Sequence, residues 1–149
     1  MTIFPSEAGA MGGNIIRIVA ALVLRRDCRT LLVRKRGTAS FMQPGGKLTQ
    51  SETPLLALQR EIREELGCGL LAGSESALGR FTAPAANEVG FAVEADLYLA
   101  TLAGDAIPQA EIEEVVWTDA FAPEHGPLAP LTERHVLPIA RKIITGWKP

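Results

Sequence analysis

Residues 44–67 constrain this chain more tightly than any other part of it. Pro44, Gly45 and Gly46 open the stretch, and paired glycines permit a backbone bend and close approach to a ligand. Thr53 followed by Pro54 then starts a helix, because the threonine hydroxyl can take an orphan N–H and proline at the first helical position gives up nothing. At about 100° per residue, Leu55, Leu58, Ile62 and Leu66 fall in one apolar stripe, the mark of a helix lying on a core. Gly67 closes it.

The flank of that stripe is acidic. Glu61 and Glu65 sit together at its edge, with Glu64 further round, so three carboxylates crowd one side of a turn with nothing cationic among them on the helical wheel. Like charges at this spacing destabilise a bare helix by roughly 0.2–0.5 kcal/mol per pair, a liability that a hard divalent ion would relieve. Magnesium prefers octahedral oxygen ligands and usually keeps several waters, which suits carboxylates facing a phosphate-bearing substrate. A solvated acidic face would explain the glutamates alone. It does not explain the glycine pair ahead of them, or Glu52, Arg60 and Gly67 around them.

The full pattern is Gly46, five residues, Glu52, seven residues, then Arg60, Glu61, Ile62, Arg63, Glu64, Glu65, Leu66, Gly67 and Cys68. It resembles the signature of the Nudix hydrolases, of the MutT-like kind. The resemblance implies an α/β Nudix fold, an α/β/α sandwich with a mixed β-sheet, and substitution of water at phosphorus in a nucleoside diphosphate linked to another moiety. It also implies Mg2+, or Mn2+ in its place, held by Glu61, Glu64, Glu65 and the Gly46 carbonyl. Glu52 and Arg60 would stand behind those ligands and fix their orientation, Arg60 being placed to hold a carboxylate by a two-pronged ion pair. Glu64 or Glu65 would accept the proton of the attacking water. Cys68 departs from the aliphatic residue usual there, but a buried cysteine behaves as a small hydrophobe.

At 149 residues and 47 % apolar content, the chain is sized for one domain, read here as a tail over 1–13 and a single domain over 14–149. A net charge of −2 argues against a nucleic-acid polymer as ligand and leaves a small nucleotide as the expected partner. Cys28 and Cys68 offer neither a disulfide framework nor a zinc pattern, and a cytoplasmic protein with reduced thiols is expected. The run 15–24 is too short to span a bilayer, so no membrane partner is expected. A homodimer is compatible with the sequence and not required by it.

Along the chain, 15–24 and 31–36 flank a polar turn and predict a hairpin, 41–43 a short strand, and 77–83 another. Residues 90–102 predict a long strand with Phe91, Val93, Ala95, Leu97 and Leu99 on one face and Glu94 and Asp96 on the other. A strand at 115–117 precedes a helix over 132–145, delayed or kinked by Pro138 and stopped at Gly146.

Outside the signature, Arg34 and Arg36 share a strand face with Lys35 opposite, and together with Gly45 and Lys47 they are candidates to hold substrate phosphate. Solvated strand-edge charges explain the two arginines equally well. Glu111 resembles the loop glutamate that many family members use as a further metal ligand or base. Phe41 and Trp117 read as core rather than base-stacking residues, and His125 and His135 as surface residues. For substrate, the compact plan resembles nucleoside triphosphate pyrophosphohydrolases, although residues 131–133 lack the asparagine by which such enzymes read an oxidised guanine. Pro84 falls where ADP-ribose pyrophosphatases often carry a proline, so ADP-ribose or a nucleotide sugar is the alternative. A non-catalytic nucleotide-binding module is a second alternative, which the intact glutamates oppose.

Overall fold

The computed structural model describes residues 14–147. The expected tail at 1–13 lies outside them. The first strand, β1 (Ile15–Leu22), shows why its sequence is apolar almost without alternation. Val19 and Ala21 face one core and Ala20 and Leu22 the other, so both faces of the strand are covered. The remaining strands are β2 (Arg29–Lys35), β3 (Phe41–Met42), β4 (Gly45–Lys47), β5 (Ser76–Pro84), β6 (Ala92–Leu99) and β7 (Ile112–Asp119), with helices α1 (Pro54–Leu66) and α2 (Leu137–Thr145).

The strands form two sheets. One runs β4-β1-β6-β5 and is mixed, with β1 parallel to β6 and antiparallel to β4; the other runs β3-β2-β7 and is antiparallel. Helix α1 buries Ala57, Leu58, Ile62 and Leu66 against Val19, Ala21, Leu31, Val33 and Ile112. Helix α2, with Val136 before it, buries Ala140 and Ile144 against Ala20, Leu22, Ala95 and Leu97. The result is the expected α/β/α sandwich. Each fully buried Leu or Ile contributes roughly 1.5–3 kcal/mol from the area it removes from water.

Helix α1 begins and ends as its sequence predicts. The Thr53 hydroxyl accepts a hydrogen bond from the Leu56 amide at 3.2 Å, Pro54 occupies the first turn, and Gly67 closes the helix in the left-handed region at φ 70°.

Several other expectations change. The predicted hairpin of 15–24 with 31–36 is not a paired one: β1 and β2 enter different sheets, and backbone pairing is confined to the residues beside the turn, with the Leu24–Thr30 bridge and the Leu31 amide bond to Val23 among its contacts. The Gly45–Gly46 bend is itself a strand, β4, paired to β1. Strand β6 is shorter than predicted and leaves Phe91 41 % exposed outside it, while β7 is longer. Before α2, Thr132–Val136 form a π-helical turn in which the Leu137 amide bonds to the Thr132 carbonyl. Pro138 has no N–H to offer the preceding turn, so the expected kink takes the form of this widening. Gly146 ends the helix in an ordinary right-handed conformation, its amide bonded to Lys142 and Ile143.

Candidate active site

Strand β4 and the last two turns of α1 face each other across a gap that only glycine allows. A Cβ on Gly45 would run into the Val19 and Ala20 backbone, and one on Gly46 would overlap the Glu61 carboxyl. The acidic face of α1 therefore lies directly against backbone. Glu65 is 2 % exposed and accepts a hydrogen bond from the Gly45 amide at 3.1 Å. Burial pushes its carboxyl up to about 8, against the opposing pull of the Gly45 amide, and the Glu61 charge adds to the rise. Burial raises Glu61 as well, opposed by Arg60. Glu64, 54 % exposed at its side chain, reaches toward solvent.

A cation does sit among these carboxylates, contrary to the reading from the helical wheel. Arg60 grips Glu52 with two bonds, Nε to Oε2 at 2.7 Å and Nη2 to Oε1 at 2.8 Å. Its remaining Nη1 donates to Glu61 at 2.9 Å and lies 3.6 Å from Glu64. A wheel plots only the direction of each Cβ, whereas the arginine stem is long enough to fold back over its own turn. The Glu52 carboxyl is held down at about 2 by Arg60, helped by the Thr49 hydroxyl at 2.8 Å.

A cleft of about 790 Å³, its open mouth included, extends from this face. Gly45, Gly46, Lys47, Glu65 and Lys35 line its polar end. Ile16, Ile18, Val93 and Leu131 give the cleft apolar lining, and Gln43 and Thr132 line it as well. Arg34 and Arg36 do not line it. Arg34 donates to Glu114 at 2.8 Å and to the Thr38 carbonyl, and Arg36 donates to Glu113 at 3.2 Å and to the Ala110 carbonyl. Their strand face points away from the cleft, and the opposite face delivers Lys35. Continuing the Leu31, Val33 alternation would have found Lys35, but Leu32 is buried too and hides that alternation. Glu111 stands across from Lys35, 3.8 Å from its ammonium and 63 % exposed at its side chain, near enough that its charge raises Glu65.

Phe41 is buried and Trp117 half-buried under Arg25, and neither lines the cleft. His125 and His135 are half-buried rather than on the surface, packed against Phe41 and Phe81. Pro84 does line the cleft.

The donors suit a hard divalent ion in kind: carboxylates that burial makes costly to ionise, converging on a strand whose Gly46 lies against Glu61. Were such an ion bound, Glu61, Glu65 and the Gly46 carbonyl could hold it, with Glu64 and Glu111 at the solvent side. Among the described residues, no three acidic, histidine or cysteine side chains already lie close enough to enclose an ion. Arg60 keeps Glu61, and Glu64 faces outward.

The family model for the NUDIX domain matches residues 15–138, which spans both sheets and the whole acidic face. The chain belongs to the NUDIX family. An RNA pyrophosphohydrolase of Halorhodospira halophila (strain DSM 244 / SL1) is 43 % identical over 51 residues, 34 % of this chain and 28 % of that protein. A MutT-like protein of Streptomyces ambofaciens is 41 % identical over 49 residues, 33 % of this chain and 32 % of that one. Both matches span less than a third of the relative's own length. Among solved structures, the MutT NUDIX hydrolase from Burkholderia pseudomallei superposes with a TM-score of 0.68 at 26 % identity, covering 86 % of this chain and 96 % of that one. This NUDIX chain thus carries the fold of a family of pyrophosphohydrolases. Among its described residues no helix is long and apolar enough to cross a membrane.

Proposed function

We propose that this protein hydrolyses a diphosphate bridge in a small nucleotide with the help of a divalent ion, Mg2+ or Mn2+, and that nucleoside triphosphates are its substrates ahead of ADP-ribose or nucleotide sugars. The observation that carries this reading is the buried Glu65 carboxyl, tied to the Gly45 amide beside Glu61 at the polar end of an open cleft. A purely solvated acidic helix would not bury one of its glutamates against glycine backbone.

When bound, such an ion neutralises phosphoryl oxygens and lowers the pKa of coordinated water. The chain's own residues do the rest. Lys35 and Lys47 give positive charge to the polar end, where a phosphate chain would lie. The Arg60–Glu52 fork fixes the turn of α1 that carries Glu61 and Glu64. Glu64 is the better placed proton acceptor of the two glutamates considered, because it reaches solvent while Glu65 is held inward by Gly45. Water adds at one phosphorus, its proton leaves on the carboxylate, and the P–O bond to the departing phosphate breaks; a triphosphate then yields a monophosphate and pyrophosphate.

The test is a panel of nucleoside triphosphates, ADP-ribose, nucleotide sugars and dinucleoside polyphosphates, assayed with magnesium or manganese. Because one relative is named an RNA pyrophosphohydrolase, RNA with a terminal triphosphate belongs in the same panel. Metal-dependent release of phosphate or pyrophosphate that Glu64→Gln cuts by orders of magnitude is expected. No turnover of any member, or full activity in both Glu64→Gln and Glu65→Gln, overturns the proposal.

A further inference from the structure

We infer that Gln43 determines base specificity, its side-chain amide donating a hydrogen bond to an exocyclic carbonyl oxygen of the nucleobase. Gln43 is 94 % buried, by its 6 % exposure, yet its Nε2 has no hydrogen-bond partner among the described residues. The same residue lines the cleft. Leaving a buried donor unmade is costly, so an orphaned amide that faces a ligand cleft is one that a ligand satisfies.

The orientation of the amide is set from behind. The fully buried Thr132 hydroxyl donates to Gln43 Oε1 at 2.8 Å, which occupies the acceptor and leaves the NH2 group as the uncommitted end of the amide. Thr132 is the first residue of the π-helical turn, so the widening that Pro138 enforces also positions the hydroxyl. Ile16, Ile18, Val93 and Leu131, which line the same cleft, offer apolar contact to a flat ring. Gln43 and the Lys35–Glu65 end line one cleft, as the base and phosphates of one nucleotide require. An NH2 donor pairs with the oxo group of a 6-oxopurine or 4-oxopyrimidine and meets a like donor on the 6-amino or 4-amino analogue. Sites built this way discriminate against the analogue that cannot pair.

The inference rests on the nucleotide reading above, and its test separates the two. Rates with ITP against ATP, and UTP against CTP, compare bases that differ at the oxo or amino position. The wild type is expected to favour the oxo member of each pair by about 10- to 100-fold in kcat/KM. Gln43→Met should bring both ratios toward one. The double variant Gln43→Met with Thr132→Val, which removes both partners at similar shape, should do the same in a chain that stays folded. Independently of hydrolysis, the Gln43 side-chain NH2 resonance, followed by NMR without metal, should move on adding IMP and stay put with AMP. Movement with IMP alone and no turnover of any nucleotide would keep the base assignment and defeat the hydrolase reading. Turnover with equal rates within each pair, a preference for the amino bases, or ratios unchanged in both variants would defeat the base assignment and keep the hydrolase. Neither turnover nor movement defeats both.

Discussion

Glu65 and Gly45 are joined by a 3.1 Å hydrogen bond from the glycine amide to a carboxyl with almost no exposure. That bond draws the carboxyl down, but burial outweighs it and the folded value stands at about 8 against an ordinary 4.5. Between those values the folded chain keeps a proton that the unfolded chain has released. The contribution to stability is fully present below the unfolded value near 4.5 and is lost as pH rises through about 8. Denaturant unfolding in chelator should therefore show stability falling over that window, and Glu65→Gln should flatten it, ending more stable than the wild type above pH 8 by on the order of a few kcal/mol. Equal slopes in the two proteins would show that Glu65 is not the group responsible.

Arg60 reads as a geometric device rather than a charge alone. Its two bonds to Glu52 use the planar fork of the guanidinium, and its third nitrogen steadies Glu61. Lysine keeps the charge and loses the fork. Arg60→Lys should lower activity by about 10- to 100-fold while leaving the fold intact, since outer contacts of this kind tune ligand orientation. Steady-state kinetics alongside thermal melts would check it, and wild-type kcat/KM in Arg60→Lys would refute it.

Gly45 and Gly46 separate by what each must avoid. A methyl group at Gly46 meets the carboxyl end of the Glu61 side chain first, whereas one at Gly45 meets fixed backbone of β1. Gly46→Ala should fold normally and lose activity, because Glu61 is pushed aside. Gly45→Ala should lose roughly 1–3 kcal/mol of stability to overpacking. Paired melting and activity measurements distinguish these outcomes, and equal effects of the two variants on both readouts would contradict the contact geometry.

How far the sequence reached can be traced residue by residue. The α1 caps and core face depend on neighbours within a turn or two, so Thr53, Pro54 and Gly67 could be read directly. That Arg60 grips a carboxylate with two prongs was legible as well, from its place in the signature, whereas its partner Glu52 is named by the fold alone. The two-sheet split was not, because whether β1 pairs with β2 depends on β6, which lies beside β1 from far along the chain. Gln43 and Thr132 were missed for the same reason: they meet across 89 residues, and neither type signals burial by itself. Lys35 was placed opposite Arg34 and Arg36, but that its face meets the cleft was not legible, because β2 is apolar on both faces and loses the alternation that would have oriented it.

The last residue of β2 and the one that follows it give a direct contrast. Lys35 lines the cleft, while Arg36 is 66 % exposed at its side chain and bonds Glu113 on the neighbouring strand. Surface pairs like Arg36–Glu113 contribute about 0–1 kcal/mol, so Arg36→Ala should leave kinetics and stability nearly unchanged. A hydrogen bond to a charged group is worth about 1.5–3 kcal/mol, so losing the Lys35 ammonium should lower kcat/KM by roughly 10- to 100-fold. Most of that loss should appear in KM, because an ammonium on a non-reacting phosphate binds ground state and transition state alike. If Arg36→Ala proved the more damaging of the two, the strand would have to present its other face to the substrate, and the cleft would lie on the wrong side of β2.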